Sequence, residues 1–405
     1  MAVQTTSNLT SSIRTQYLNK YIEAAMFQRT YDIYAKPIDK NLGLVMKAIM
    51  QGSSVQVDFA SDMTPEVTAI SQVADINPQT LRDATASITP TSRGGALQWS
   101  ENLDIQVYTD YGAHRHAAIG KNAAESIDLL AQAAALQGNN VKRPAARASL
   151  DAGTAAHNLT LANFVEASTI MQVHKSPMFI DNKGGTKNYF CVLHPEVYYD
   201  ILTSGTVESV GIYQDKAMIL NQELGRIAGF KLIVSPWAKV FGAAGADHAS
   251  NVDTTLSSAA NALATQIVVA SATNITAGDY LTIGTEETGN TFQPRNERVT
   301  VSDAYVSGTT IDIIGEGANG GLRFPHDSAV AVRNADSVFP VLFGGPESIA
   351  KLYVPEIGEF GKIVGPKVDG LLDQFQSLGW KFYGGYGRWV ESWLLRGEYS
   401  SSLEA

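Results

Sequence analysis

The chain has 405 residues, enough for two or three domains and a large hydrophobic core. Its net charge of −10 argues against a general nucleic-acid binder that neutralises phosphates. The single cysteine excludes an internal disulfide and every multi-cysteine metal cluster. Only 17% of the residues are charged and 44% are hydrophobic. This balance suits a protein that buries much of its outer surface against other subunits.

Neither a targeting segment nor a membrane segment stands out. Residues 1–16 are polar and lack the apolar core of a signal peptide. No apolar stretch approaches the roughly 18 residues that a membrane-spanning helix needs. We therefore expect a soluble protein that folds in a reducing compartment and has no membrane partner.

The first hundred residues form a basic half and an acidic half. Residues 1–50 combine a polar arm with a helical pattern, and their six basic and three acidic residues give +3. Residues 51–100 contain five acidic residues and two arginines, which give −3. Apolar and polar residues alternate from Val55 to Phe59, and a second strand-like run follows at 86–107. With about thirty mostly polar residues between the runs, residues 51–103 predict a long hairpin with a mobile tip.

Residues 114–137 change to a helical period. A narrow stripe of small and aliphatic residues recurs at helical spacing, and Gly138 supplies a stop. The stripe consists of Ile119, Ala123, Ile127, Leu130 and Ala134. This pattern predicts a helix of roughly 36 Å at 1.5 Å per residue, and we expect it to be the structural spine of the molecule.

The rest of the chain alternates between two kinds of composition. Residues 158–250 predict a mixed α/β domain, with helices at 159–174 and 196–204 and extended runs at 187–195 and 229–237. Residues 251–335 contain short β-rich runs between Gly, Asn and Asp turns, which indicate an inserted small β-barrel or sandwich. The α/β pattern resumes after residue 335. Trp380 and Phe382, which flank Lys381, indicate a strand near the end of the chain.

Cys191 and His194 are the first candidates for chemistry, because cysteine and histidine form a nucleophile and base in many hydrolases. They lie three residues apart on a predicted strand, so their side chains point to opposite faces. Pro195 marks a turn into the next helix. The pattern therefore favours a buried structural cysteine and a turn histidine.

Other candidate motifs are weaker. GEGANG at 315–320 has the glycine spacing of a dinucleotide fingerprint, but a proline stands where the helix should begin, and we interpret it as a turn. His114 and His116 would lie roughly 200° apart on a helix, which argues against a metal site. Glu286 and Glu287 are expected to point apart on a strand. We predict no catalytic, cofactor-binding or metal-binding residues, and therefore no enzyme.

Three stretches carry a resemblance to a known family. They are YFCVLHPEVYYDI (189–201), LNQELGRIAGFKLIVSP (220–236) and GWKFYGGYGRWV (379–390). Together with the order of arm, hairpin, helix and α/β domain, they resemble the major capsid (coat) protein of tailed bacteriophages, in the podophage-type family with the Hong Kong 97-type fold.

The resemblance implies an α+β Hong Kong 97-type fold with an inserted all-β domain. Its parts would be an N-terminal arm and helix (1–50), an extended hairpin loop (51–103) reaching over a neighbouring subunit, and a peripheral domain with the spine helix (104–157). An axial α/β domain (158–250), the inserted β-barrel (251–335) and a completing segment with the final strand (336–405) would follow.

The function implied by the resemblance is self-assembly with a separate scaffolding protein. The product would be an icosahedral shell of hexamers and pentamers that encloses double-stranded DNA without sequence-specific binding. A portal protein would be a further partner, and a decoration protein is a candidate one. The protein would be located in the virion, after assembly in the host bacterial cytoplasm.

Opposite charges near the N-terminus suggest a subunit contact. In this hypothesis, basic residues of the arm meet acidic residues of a neighbour's hairpin. The proposed contact residues are Lys36, Lys40, Asp58, Asp62, Glu66 and Asp75. Pairing within one chain and simple solvation of these charges are the alternatives.

Two other functions remain open from the sequence. The inserted β-domain could make the protein a surface-binding or adhesin-like virion module, with the rest as scaffold. An enzyme would need a site assembled from distant residues. Size in solution distinguishes the adhesin-like alternative from a coat protein, because a coat protein forms capsomers or shells and an adhesin forms a small oligomer of fixed size.

Overall fold

The computed structural model describes residues 30–37, 55–60, 63–67, 79, 83–101, 111–180, 187–203, 226–285, 287, 292–354, 361–369 and 374–404. The helices in these ranges are α1 (Tyr111–Leu136), α2 (Leu161–Val173) and α3 (Pro195–Thr203). The strands are β1 (Lys36–Pro37), β2 (Val55–Ala60), β3 (Asp83–Ile88), β4 (Thr91–Ser100), β5 (Val141–Lys142), β6 (Phe179–Ile180), β7 (Lys187–Leu193), β8 (Arg226–Ile227), β9 (Phe230–Val234), β10 (Asp253–Thr255), β11 (Gln266–Val268), β12 (Tyr280–Ile283), β13 (Glu297–Val301), β14 (Thr310–Ile314), β15 (Ala331–Arg333), β16 (Phe339–Gly344), β17 (Ile349–Tyr353), β18 (Lys362–Asp369), β19 (Phe375–Arg388) and β20 (Leu394–Tyr399).

The chain divides into two compact units. The first comprises residues 1–33, 37–130 and 351–386, and the second comprises residues 34–36, 131–350 and 387–405. Both take residues from α1, because the division falls within that helix. None of the described helices is both long enough and apolar enough to cross a membrane.

Strand β19 is the central strand of the sheet in the first unit. Its residues pair antiparallel with β4, from Thr91 opposite Gly384 to Ser100 opposite Phe375. Its other edge pairs with β18, where the register shifts between Val364 and Lys367. The core of the unit consists of Ile119, Ala123 and Ile127 of α1 and of Leu378, Trp380 and Phe382 of β19. The predicted helix and the strand predicted around Trp380 are therefore both present, and they pack against each other.

A two-stranded hairpin belongs to the same unit. β2 and β3 pair antiparallel, from Val55 opposite Ile88 to Ala60 opposite Asp83. This pairing agrees with the alternation that predicts a strand at residues 55–59. The predicted mobile tip falls largely at 68–78, outside the described residues.

The second unit has a seven-stranded mixed sheet in the order β5-β20-β16-β7-β9-β8, with β6 also paired to β7. β7 and β16 lie in its middle, and all six residues of β16 are buried. α2 and α3 contribute Phe164, Met171 and Val197 to the core that covers these strands. The apolar runs at 187–193 and 339–344 lack alternation because they are buried on both faces.

Six further strands of this unit lie between residues 253 and 333. They pair antiparallel in the order β10-β15-β12-β13-β14-β11. A bridge between Leu256 and Val269 joins the ends of β10 and β11, so the sheet closes into a barrel. Its own hydrophobic core includes Leu281, Val299 and Ile311. The β-rich pattern is thus reproduced, while the domain boundaries and independent folding stay predictions.

Candidate assembly surface

Three of the six predicted contact residues lie within the described chain, and Lys40, Asp62 and Asp75 lie outside it. Lys36, in β1, forms an ion pair with Glu347. Its ammonium also lies 5.7 Å from the centre of the Trp389 ring, within range of a cation–π contact. Lys36 therefore has a partner in its own chain that lies outside the hairpin, and the proposed subunit contact stays a prediction.

Asp58 and Glu66 belong to the hairpin. Asp58 lies on β2 opposite Thr85, and Glu66 lies in the exposed segment 63–67. Gln79 holds this segment through two hydrogen bonds of 3.0 Å: it accepts from the N–H of Thr64 and donates to the carbonyl oxygen of Thr64. Within the segment, the side chains of Met63 and Val67 are 62% and 93% exposed.

The segment at 30–34 is fastened by a buried carboxylate of α1. Oδ1 of Asp128 accepts hydrogen bonds from the backbone N–H groups of Thr30, Tyr31 and Asp32, at 3.0, 2.8 and 2.9 Å. Burial raises the pKa of Asp128 to about 6, although the three N–H donors act in the opposite direction. The carboxylate thus replaces water for three consecutive backbone groups.

A buried ion pair also fastens this segment. Nζ of Lys351, in β17, lies 2.5 Å from Oδ1 of Asp32, and both side chains are buried. The hydroxyl of Tyr386 donates to the same oxygen. Sequence reasoning missed this cluster. The only local sign of the cluster was the single charge of Lys351 within the apolar run IAKLY. The sequence contained no link between Lys351 and Asp32, because 319 residues separate them.

Three lysines share the face of the β4–β19–β18 sheet that points away from α1. Directly paired residues point to the same face of a sheet, and successive residues point to opposite faces. Lys381 falls between two core residues of β19, Lys362 pairs with Lys381, and Lys367 pairs with Ser377. All three are exposed, and among the described residues none has an ion-pair partner. We call this surface, with Val364, the lysine face.

A depression of about 360 Å³ lies on the lysine face between β4 and β18. Its lining includes Gly94, Ala96, Val364, Lys367 and Gly379. The glycines leave the depression open because they carry no side chain. At Gly94 a side chain is also excluded by the neighbouring strand. A Cβ atom on Gly94 would come within 2.6 Å of the carbonyl oxygen of Trp380.

The structure confirms the prediction for Cys191 and His194. Cys191 is fully buried in β7, and burial raises the pKa of its thiol well above the ordinary value, which disfavours the thiolate. His194 precedes α3, and its Nδ1 accepts from the backbone N–H of Glu196 at 3.3 Å. The histidine is a helix cap, followed by Pro195 at the first helical position.

The other motifs also have structural roles. GEGANG forms a turn after β14, with hydrogen bonds from Gly315 N–H to the Gly320 carbonyl and from Gly317 N–H to the Gly321 carbonyl. Glu287 lies beyond the end of β12 and not on a strand, which corrects that expectation. It is buried, 3.3 Å from Nζ of Lys239. Within the described residues, no group of three or more His, Cys, Asp or Glu side chains is arranged to hold a metal ion.

A further ion cluster joins the barrel to the α/β part of the second unit. Arg298 of β13 pairs with Glu196 of α3 and with Glu404 near the end of the chain. Burial raises the pKa of Glu404, while Arg298 lowers it. The partners are more than 100 residues apart in sequence, so their spacing gave no signal of this contact.

No protein-family model matches the sequence, and no curated protein matches it. Solved structures do match over nearly the whole chain. A chain in the capsid structure of cyanophage P-SCSP1u is 11% identical with a TM-score of 0.53, covering 94% of this chain and 90% of that one. A chain in the capsid asymmetric unit of cyanophage Pam1 is 10% identical with a TM-score of 0.53, over 95% and 94%. The chain has a phage capsid fold.

A third match agrees with the first two. A chain in the capsid of Ralstonia phage GP4 is 11% identical with a TM-score of 0.50, over 94% of this chain and 91% of that one. Because so few residues are shared, the likeness concerns the fold alone.

Proposed function

We propose that the protein is the major capsid protein of a tailed bacteriophage with the Hong Kong 97-type fold. The single observation that carries the proposal is the match to phage capsid chains over 94–95% of its length. In this proposal, copies assemble with a scaffolding protein into hexamers and pentamers of an icosahedral shell around double-stranded DNA. The portal protein is a further partner, and the protein resides in the virion.

The charge of the chain supports this role. Many copies line a shell, so copies that each neutralised several phosphates would together immobilise the packaged DNA. A net charge of −10 opposes such binding. The proposal therefore treats the protein as a container wall with no enzymatic activity and no sequence-specific contact with DNA.

The proposal predicts self-association, which electron microscopy and sedimentation velocity measure directly. The purified full-length chain should form capsomers or shells, alone at high concentration or after co-expression with a candidate scaffolding protein. A strictly monomeric chain under both conditions would contradict the proposal. A small oligomer of fixed size that does not grow with concentration or scaffold would favour the surface-binding alternative.

A further inference from the structure

We infer that the lysine face is the docking site for an extended acidic segment of a partner protein. The segment would carry one apolar side chain between two acidic ones, at every second residue. Its order would be an acid, any residue, an apolar residue, any residue and a second acid. This partner is not a second copy of the chain, so its binding is separate from the self-association that the proposed function requires.

The lysine face has three successive rows of residues across β4, β19 and β18. Strand pairing sets Lys362 beside Lys381 in the first row and Lys367 beside Ser377 in the third. The middle row lies between them and has no charge. It consists of Ala96, Gly379 and Val364. The face therefore presents an uncharged centre with a positive rim on two sides.

The middle row coincides with the depression. Ala96, Val364 and Gly379 all line it, and its volume is about 360 Å³. For comparison, a cavity of about 150 Å³ is large enough for a benzene molecule. Val364 is 44% exposed although it is apolar. The depression therefore has room for an apolar side chain of a partner, and the contact would remove apolar surface of Val364 from water.

The two rims lack opposite charges. Lys362, Lys367 and Lys381 are exposed, and none of them has an ion-pair partner among the described residues. Lys362 and Lys381 are directly paired across two strands, and like charges in that position are destabilising. Acidic side chains of a partner would relieve this repulsion.

The distance between the rims fixes the spacing of the acidic residues. Lys381 of the first row and Ser377 of the third are four residues apart on β19, which corresponds to about 13 Å along a strand. In an extended peptide, residues i, i+2 and i+4 point to the same side and span the same distance. A segment that runs along the strands therefore places its two acids over the two rims and its central apolar residue over the depression.

A nucleic-acid strand fits the lysine face less well. It carries a charge at every nucleotide, so it would also place phosphate over the uncharged middle row. It has no aliphatic side chain to fill the depression, and the net charge of −10 on the protein repels it. A protein segment that alternates acidic and apolar residues is the occupant that both the shape and the charge of the face favour.

Disulfide tethering tests the predicted spacing. Val364→Cys places a thiol in the middle row of the full-length chain, and the probe is the synthetic peptide Glu-Ser-Cys-Ser-Glu with blocked termini. The control peptide Glu-Glu-Cys-Ser-Ser has the same composition and charge but a different spacing. At a fixed ratio of reductant to oxidant and low salt, mass spectrometry should find about fivefold more adduct with the alternating peptide. The native Cys191 is fully buried and adds little background.

Matched variants test the position, the charge and the shape of the site. Val306→Cys, at a position of the barrel that is 90% exposed, should show no preference between the two peptides. In the Val364→Cys chain, Lys367→Gln should remove most of the preference, whereas Lys187→Gln, at an exposed lysine of β7, should leave it unchanged. Ala96→Leu fills the depression and should lower the adduct yield, whereas Ser92→Leu, on the same face of the same strand outside the depression, should not. Circular dichroism and melting temperature verify that each variant is folded.

Three results would overturn the inference. The first is an equal adduct yield for the two peptides at position 364, or the same preference at position 306. The second is a single-stranded oligonucleotide that competes at a lower concentration than the cysteine-free peptide Glu-Ser-Leu-Ser-Glu, which would assign the face to nucleic acid. The third is protection of the thiol at position 364 by self-association without peptide, which would assign the face to a second copy. Failure of the proposed function is seen separately, as a wild-type chain that stays monomeric.

Discussion

The structural role of a single residue in this protein depends on what surrounds it in the fold more than on its neighbours in the sequence. Ile127 and Asp128 are adjacent on α1 and both are buried, yet one packs against the sheet and the other binds three backbone N–H groups. The aliphatic residue was predicted from helical spacing. The role of the carboxylate depends on a segment almost 100 residues earlier in the chain.

The first residue-scale prediction concerns Ile127. Ile127→Asp would place an unpaired carboxylate against Leu378 and Phe382, and we expect it to lower the free energy of unfolding by several kcal/mol. Urea denaturation followed by circular dichroism measures this. Ala118→Asp, at an exposed position of the same helix, is the matched control and should cost far less. Equal stability of the two variants would mean that this face of α1 is not buried.

The second residue-scale prediction concerns His194. Burial lowers the pKa of His194 from 6.5 to about 4 in the folded protein. His194 therefore binds a proton less readily in the folded state than in the unfolded state. The free energy of unfolding is consequently unaffected by this group above pH 6.5 and decreases as the pH falls toward 4. At most about 3 kcal/mol is involved, from 1.36 kcal/mol per pKa unit.

His194→Asn should flatten this pH dependence, because an asparagine can still cap α3 but does not titrate. Denaturant titrations at pH 7 and pH 4.5 measure the effect. His174→Asn alters an exposed histidine and should leave the pH dependence as in the wild type. An unchanged slope in His194→Asn would show that other groups cause the acid sensitivity.

At the scale of elements, the β-barrel combines an internal core with charged attachments. Its strands enclose their own apolar cluster, whereas Arg298 and Glu287 face partners outside the barrel. In an isolated barrel, Arg298 and Glu287 would lose these partners and be solvated by water instead. Their exposure should therefore cost little free energy of folding. Its apolar core needs no residue from the rest of the chain.

We therefore predict that residues 251–335 fold independently. The isolated segment should give dispersed amide NMR signals and a cooperative thermal transition, since about 85 residues can enclose a core. Leu281→Asp, which places a charge at a fully buried position of β12, should abolish both signatures. A random-coil spectrum of the unmodified segment would refute independent folding.

For the whole molecule, the proposed function raises the question of whether basic residues of one copy contact the acidic hairpin of another. The sequence points to the arm, with Lys36 and Lys40, whereas the structure pairs Lys36 with Glu347 and leaves the lysine face open. Each exposed pair contributes only about 0.2–1 kcal/mol. In the proposed shell such a contact would recur in every subunit, so the small contributions would accumulate and would weaken with added salt.

We predict that Glu66→Lys combined with Asp75→Lys impairs assembly more than folding. Light scattering at low and high salt measures assembly, and melting temperature measures folding. Reversal of Lys36 and Lys40 to Glu in the same chain should partly restore assembly. Equal assembly of the hairpin variant and the wild type at low salt would show that these charges are merely solvated.

The sequence by itself determined the elements whose signal is local. The helical stripe predicted α1, the largely apolar runs predicted β7 and β9, and the alternation at residues 55–59 predicted the first hairpin strand. These patterns are readable because a helix or a strand repeats its buried side every few residues. The order of the elements also carried the resemblance to phage capsid proteins, whose fold the chain shares.

Only the tertiary structure decided which charges meet and which remain exposed. Asp32 and Lys351 are 319 residues apart, and Arg298 and Glu404 are 106 apart, so no spacing rule connects them. The lysine face exists because the register of β18 on β19 sets Lys362 opposite Lys381. Register and long-range pairing depend on how the whole chain buries its apolar surface, and the pattern within one segment does not identify the strand that it will pair with.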